Sequence, residues 1–236
     1  MLAKKIFFDQ HHPARCYREA SQHFWMARAA PPRLRRGIFW PHLKTSTSRE
    51  TRIPRYRLVM DQSFDVFTMG FSNRTWDETI RILQIHEIRR LVDIRTLPGS
   101  RRTPQFNLEN LQQSLPEHGI DYVHMKSLGG LRKPLKDSTL NAAWRNDGFR
   151  GYADYMQSSG FEESLQTLIK LMKEQRTVYV CTEAVFWRCH RQLVSDALLI
   201  RGYQVGHILG VNEAQPHKLT PHARVEGERL TYPALL

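Results

Sequence analysis

Residues 66–85, "VFTMGFSNRTWDETIRILQI", decide the fold. A short β-rich run, "VFTMG", is followed at once by Thr75-Trp76-Asp77-Glu78. That spacing is a capping box, in which the Thr hydroxyl and the Glu carboxylate satisfy orphan amides at a helix start. An apolar pattern of helical period then runs to about Ile88. The same unit recurs along the chain. "LVDIR" (91–95) reads as a second strand, and "NLENLQQSL" from Asn107 puts Leu108, Leu111 and Leu115 on one helical face before Gly119 closes the unit. "DYVHM" (121–125) is a third strand, followed by a long loop (126–148) and a helical stretch of about 152–174 broken near Ser159-Gly160. "TVYVC" (177–181) is the fourth strand, and a helix over 188–201 turns Leu193, Val194, Ala197 and Leu198 inward. "VGHIL" (205–209) is the fifth strand, and "ARVEGERLTYP" reads as a hairpin turning at Glu226-Gly227.

Strands that alternate with helices imply right-handed crossovers and a mostly parallel sheet covered on both faces. The expected fold is therefore α/β: a three-layer sandwich with a five-stranded, mainly parallel sheet and a small C-terminal hairpin, forming a single domain over about 62–233.

The chain has 236 residues and a formal charge of +12, which invites a nucleic-acid reading until the charge is divided. Residues 1–58 hold 13 Lys and Arg against 3 Asp and Glu, whereas residues 59–236 hold 22 against 20. The basicity belongs to the first quarter, so the whole-chain charge is a poor guide to partners. That quarter is rich in Arg, Pro and Ser and has no sustained period. Three readings compete for residues 1–61: a disordered basic arm, an Arg-rich targeting segment, or an over-long start, with Met60 as the alternative beginning. The over-long start is favoured. No apolar run approaches the roughly 18–20 residues of a membrane span. The three cysteines, Cys16, Cys181 and Cys189, have no C-x-x-C spacing, so free thiols in a reducing cytoplasm are expected.

In an open parallel sheet, ligands bind beyond the carboxyl ends of the strands. Strand one is followed by Gly70, Ser72, Asn73 and Arg74; strand two ends in Asp93 and Arg95 and leads into "PGSRRTPQFN", with Arg101 and Arg102. Strand three supplies His124 and then the basic loop. Strand four ends in "CTEAVFWRCHR", with Cys181, Glu183, Arg188, Cys189, His190 and Arg191. Cys181 is read either as a nucleophile whose thiolate is favoured by Arg188, Arg191 and a helix N-terminus, or as a small buried hydrophobe. Burial suits Cys189 better. Glu183 and Asp93 are acid–base candidates or arginine partners, and His190 is a better acid–base candidate than His124. Cys181, Glu183, Cys189 and His190 include zinc-ligand types, but their spacing matches no standard pattern, and neither a metal nor a cofactor is expected. The basic loops 98–107 and 126–150, with Phe106, Trp144 and Phe149 available for stacking, suit an anionic ligand.

In this order, "GFSNR", "LVDIRTLPGSRRTPQFN", "YVHMKSLGG", "WRNDGFRGYADYM", "CTEAVFWRCHR", "HILG" and "PHKLTPHAR" resemble the family called domain of unknown function 488 over about residues 65–233. The resemblance implies a conserved soluble bacterial-type domain and carries no established reaction. At Phe71, where the family usually has an aromatic or His residue, it argues against a polar role. A weaker analogy is the rhodanese and Cys-phosphatase plan, here with a C-x6-R spacing from Cys181 to Arg188 and no glycine in the loop.

The expected function is an enzyme-like domain that binds an anionic, phosphate-bearing substrate in the crevice. Cys181, Glu183, Asp93 and His190 are its catalytic candidates. Ser72, Asn73, Arg74, Arg95, Arg101, Arg102, His124, Arg188 and Arg191 are its substrate contacts. A non-catalytic nucleic-acid-binding module and a rhodanese-like sulfur carrier using Cys181 are the alternatives. The expected partner is an anionic small molecule or nucleic acid, with no membrane.

Overall fold

The computed structural model describes residues 64–211 and 214–234, so the basic segment 1–61 and its competing readings lie outside the described residues. Five parallel strands form the sheet: β1 (Val66–Gly70), β2 (Arg90–Asp93), β3 (Asp121–His124), β4 (Thr177–Cys181) and β5 (Val205–Ile208). A sixth, β6 (Ala214–Pro216), adds antiparallel to β5 and gives the order β3-β2-β4-β1-β5-β6. Three residues with a proline at one end leave little strand signal, which is why the sequence reading stops at five. The C-terminal hairpin, β7 (Arg224–Glu226) and β8 (Arg229–Thr231), turns through Gly227 at φ +62°, as expected.

The helices are α1 (Trp76–Ile85), α2 (Leu108–Ser114), α3 (Asp147–Tyr155), α4 (Ser159–Glu174) and α5 (Arg191–Leu199). Helices α1 and α2 cover one face, where Ile82, Leu83 and Leu111 pack on Phe67, Met69, Leu91 and Val180. On the other face α3, α4 and α5 set Tyr152, Leu165, Leu168, Leu193 and Val194 against Val66, Val92, Tyr179 and Val205.

Local chemistry fixes the helix limits. Thr75 caps α1 by accepting from the Glu78 amide at 3.1 Å, but the Glu78 carboxylate pairs with Arg74 at 2.7 Å, so only half of the capping box forms. The expected break in the long helix falls at Met156–Ser158, where Ser158 caps α4. Residues 186–188 form a separate 3₁₀ turn, so α5 begins three residues later than the period suggests.

Two features of this topology position a site. Neighbours β2 and β4 send their connections away from each other, α2 on one face and α5 on the other, which makes their carboxyl ends a topological switch point. On the other side of β4, Gly70 of β1 stands in register with Cys181. A Cβ on Gly70 would overlap the Glu183 carbonyl, so the β4 loop passes over β1 only because residue 70 has no side chain.

The C-terminal segment is held by a buried polar chain. Asp196 of α5 accepts from the His217 ring (2.9 Å), the Thr220 amide (2.9 Å), the Thr220 hydroxyl (2.7 Å) and the Tyr232 hydroxyl (2.8 Å). The other ring nitrogen of His217 meets His207 Nε2 at 2.8 Å, and Phe186 stacks on His207. Burial pushes the His207 imidazole down to about 2, and His217 and Arg191 act in the same direction.

This depression gives stability a defined pH dependence. An unfolded His titrates near about 6.5, so below that pH the unfolded chain binds a proton that folded His207 refuses. The stability is fully present above about pH 6.5 and is lost as pH falls towards 2, with a slope of up to about 1.4 kcal/mol per unit from this group. Urea midpoints measured from pH 7 to 4.5 should fall less steeply for His207→Gln than for the wild type. Equal slopes would remove His207 from this role.

Candidate functional site

Cys181 ends β4, Cys189 follows the 186–188 turn, and His190 holds the N-cap position of α5 without a side-chain capping bond. Their chemistry-bearing atoms lie within 4.8 Å of one another. His190 Nδ1 stands 3.6 Å from the Cys189 sulfur and 4.0 Å from that of Cys181. The group forms the floor of a cleft of about 380 Å³ whose walls come from Arg95–Leu97, Gly130–Leu131 and the start of α3 at Asn146–Phe149. Glu183 and Arg188 line the same cleft, both exposed, and neither side chain has a partner among the described residues.

The two thiols are unequal. A hydrogen bond from Cys181, helped by His190 and Arg191, holds the Cys189 thiol well below the ordinary range against the opposing effect of its burial. The same hydrogen bond, together with burial, pushes Cys181 up. Thiolate character therefore sits on Cys189, the reverse of the expectation that Cys181 is the activated sulfur. The hydrogen bond between the two sulfurs sets them apart, while Arg191 lowers both. The Arg191 guanidinium turns inward, only 1% exposed, with Nε 3.5 Å from the Cys189 sulfur and its other nitrogens on Thr68 Oγ1 (3.2 Å) and the Glu183 carbonyl (2.5 Å). Expected as a substrate contact, Arg191 is instead a core residue that steadies the loop.

Asp93 and Arg95 also change role. Asp93 is fully buried and accepts from the Arg95 amide (3.0 Å), from Arg95 Nε and Nη2, and from the Tyr122 hydroxyl (3.0 Å). A carboxylate so occupied is an arginine partner. Tyr122 is pushed up by its burial and by Asp93. Arg95 gives its remaining reach to the Phe106 carbonyl at 2.7 Å and lies against the Phe71 ring, so it borders the cleft as a wall with its charge already matched. His124 bonds the Arg95 carbonyl at 2.8 Å and is structural.

Arg74 ties the Gly70 and Leu209 carbonyls and Glu78 together, while Ser72 and Asn73 bond each other on the surface. Arg101 and Arg102 are exposed outside the cleft. Of the basic residues in 126–150, Arg132 is spent on the Ser127 and Gly129 carbonyls and the Tyr155 ring, and Arg150 on Asp147. Among the stacking candidates, Phe106 is buried against Phe71 and Trp144 is packed on Phe149, His222 and Tyr232, which leaves Phe149 at the cleft.

Sequence reasoning missed Gly130, which packs on the His190 ring, and Asp154, which ties α3 to the 135–141 segment. Asp154 receives the Leu135 amide and the Asn141 side chain, each at 2.8 Å, and Asn141 in turn accepts from the Tyr232 amide. The only signal for Asp154 is an acid on the inner side of a helix, and it becomes legible once α3 is placed.

Residues 75–198 match the family model described as Domain of unknown function DUF488. The chain belongs to that family. The β4 cluster and every residue lining the cleft fall inside the matched DUF488 region, whereas His207, His217 and the hairpin lie beyond it. No curated protein and no solved structure matches the chain. No described helix is long and apolar enough to cross a membrane.

Two measurements separate structural from chemical roles. Asp93→Asn leaves a buried guanidinium without its counter-charge and should cost about 3–5 kcal/mol of stability in a denaturant melt, while Arg101→Ala and Arg102→Ala should stay within about 0.5 kcal/mol. A wild-type melt for Asp93→Asn would restore it as a catalytic candidate. In chelator-treated protein, the thiolate absorbance that appears at lowest pH should vanish in Cys189→Ala. In Cys181→Ala it should move to higher pH, because the donor that stabilises the thiolate is gone.

Proposed function

We propose that residues of about 62–233 form an enzyme-like DUF488 domain that binds an anionic, phosphate-class small molecule in the crevice at the carboxyl ends of the strands. Its reacting group lies over Cys181, Cys189 and His190. The observation that carries this reading is convergence: two sulfurs, an imidazole, an unpaired guanidinium and an unpaired carboxylate share one cleft at the switch point of the sheet. Arg188 is the anion contact, since it alone among the arginines bordering the cleft has no internal partner among the described residues. Glu183 is the acid–base candidate, with an exposed carboxylate in the same cleft. Free thiols suit a reducing, cytoplasmic setting.

A cleft of this size suits a small molecule better than a strand-tracking groove. Arg132, Arg150, Phe106 and Trp144 are spent on internal contacts, whereas Arg101, Arg102, Lys126, Lys133, Lys136 and Arg145 stay exposed, so it is the size of the cleft that favours the small molecule. The rhodanese analogy weakens for a different reason. The loop amides of Arg188 and Cys189 bond the Val185 and Phe186 carbonyls within the 186–188 turn, so they are not free to cradle an anion.

Thermal melts of the full chain with phosphate, pyrophosphate and mononucleotides check the proposal. A ligand at 100 times its Kd adds about 2.7 kcal/mol. Protection is expected from small anions, without growth as an oligonucleotide lengthens, and Arg188→Gln should abolish it. The basic segment 1–58 can bind polyanions by itself, so the informative quantity is the difference between wild type and Arg188→Gln. Length-dependent oligonucleotide binding that disappears in Arg188→Gln would instead favour a nucleic-acid module.

A further inference from the structure

We infer that Cys181, Cys189 and His190 are the protein ligands of a Zn²⁺-class cation whose fourth coordination position opens into the cleft. The inference shares the cleft with the proposed anion site, but its own footing is the geometry of the three ligand atoms. A tetrahedral ion about 2.3 Å from each sulfur and about 2.0–2.1 Å from nitrogen sets its ligands roughly 3.5–3.8 Å apart. The two sulfur–nitrogen separations are 3.6 and 4.0 Å, and all three atoms fit within 4.8 Å, so shifts of less than an ångström complete the site.

The His190 ring supplies a second observation. Its Nε2 is buried with no hydrogen-bond partner, and Nδ1 meets only the two sulfurs. Neither nitrogen has the oxygen or nitrogen partner that a buried imidazole ordinarily finds. A cation at Nδ1 would give that nitrogen a firm partner, with Nε2 carrying the ring proton.

Gly130 supplies a third. A Cβ there would overlap the face of the His190 ring at Nδ1, Cγ and Cε1, so the ring can stand with Nδ1 towards both sulfurs because residue 130 is glycine.

The donor set selects the ion. Two thiolates and an imidazole suit zinc and discriminate against magnesium and calcium, which take oxygen ligands. Three protein ligands with one position free is the arrangement of a catalytic zinc, whereas structural sites close with four. The ligands come from a strand end, a turn and a helix start. The Cys189 amide is tied to Phe186 at 3.0 Å and the His190 ring is packed on Tyr152, which holds them before any ion arrives.

Co²⁺ titration of the reduced, chelator-treated full chain tests the inference. A thiolate-to-cobalt charge-transfer band should saturate at one equivalent and bleach when Zn²⁺ is added. Cys181→Ser, Cys189→Ser and His190→Gln should each lose the band, and Cys16→Ser should keep it. Gly130→Ala should weaken Zn²⁺ binding by about 10–100-fold without removing a ligand. Should a ligand variant fail to fold, alkylation mapped by mass spectrometry on the wild type decides: Zn²⁺ should slow modification of Cys181 and Cys189 together. Absence of the band in folded wild type, its survival in a Cys181→Ser/Cys189→Ser variant, or unprotected cysteines would overturn the assignment. Arg188→Gln keeps the two readings apart, since it should retain the cobalt band while losing phosphate protection.

Discussion

A buried cation organises the centre of this molecule. Among the described residues Arg191 is the largest fully buried side chain, and no described carboxylate pairs with it. Burying a guanidinium is costly unless its donors are met and its charge is answered. Its donors are met by Thr68 on β1 and by the carbonyls of Glu183 and Ala184 in the β4 loop. The charge is answered by sulfur, because the Cys189 thiol is held towards its thiolate partly by Arg191. The same guanidinium thus joins β1 and the β4 loop to α5 and adds to the effects that hold Cys189 towards its thiolate.

That arrangement has a steric counterpart. The Glu183 carbonyl that receives Arg191 lies where a Cβ of Gly70 would be, so the loop reaches the guanidinium only by crossing a glycine. The Asp93–Arg95 pair does comparable work one strand away: it fixes the end of β2 and, through the Phe106 carbonyl, the loop that follows. In both places ionisable residues at strand ends serve the shape of the crevice. The groups left with unspent capacity, Glu183 and Arg188, are the ones that face outward over it.

This division explains what was legible in the sequence. The β–α alternation shows in one dimension because strand and helix periods are local, and capping signals such as Thr75 and Ser158 act within three residues. The clustering of chemistry after β4 was also legible, since Cys181, Glu183, Arg188, Cys189 and His190 are nearly contiguous. Their individual roles were not. Whether Arg191 turns inward depends on Thr68, 123 residues away, and whether Asp93 is free depends on Tyr122. The relative acidity of two cysteines eight residues apart is a property of their contact, which no spacing rule supplies. The His207–His217–Asp196 chain was hidden for the same reason: its members are scattered over β5, α5 and the stretch after β6.

Charge accounting joins the two proposals. In the absence of a metal, one thiolate answers Arg191, and the second sulfur keeps its proton as the donor in the pair. A dication with two thiolates is neutral overall, so Arg191 would then stand uncompensated beside it. Arg188 adds a further positive charge at the rim, and Glu183 offsets only one of the two. The loaded cleft would therefore carry a net positive charge with an open coordination position, in surroundings where partial burial weakens screening. An anionic ligand oxygen is the species that answers both conditions, since it can fill the open position and balance the charge at once. On this view the buried arginine that holds the loop in place also biases the metal-loaded site towards anions.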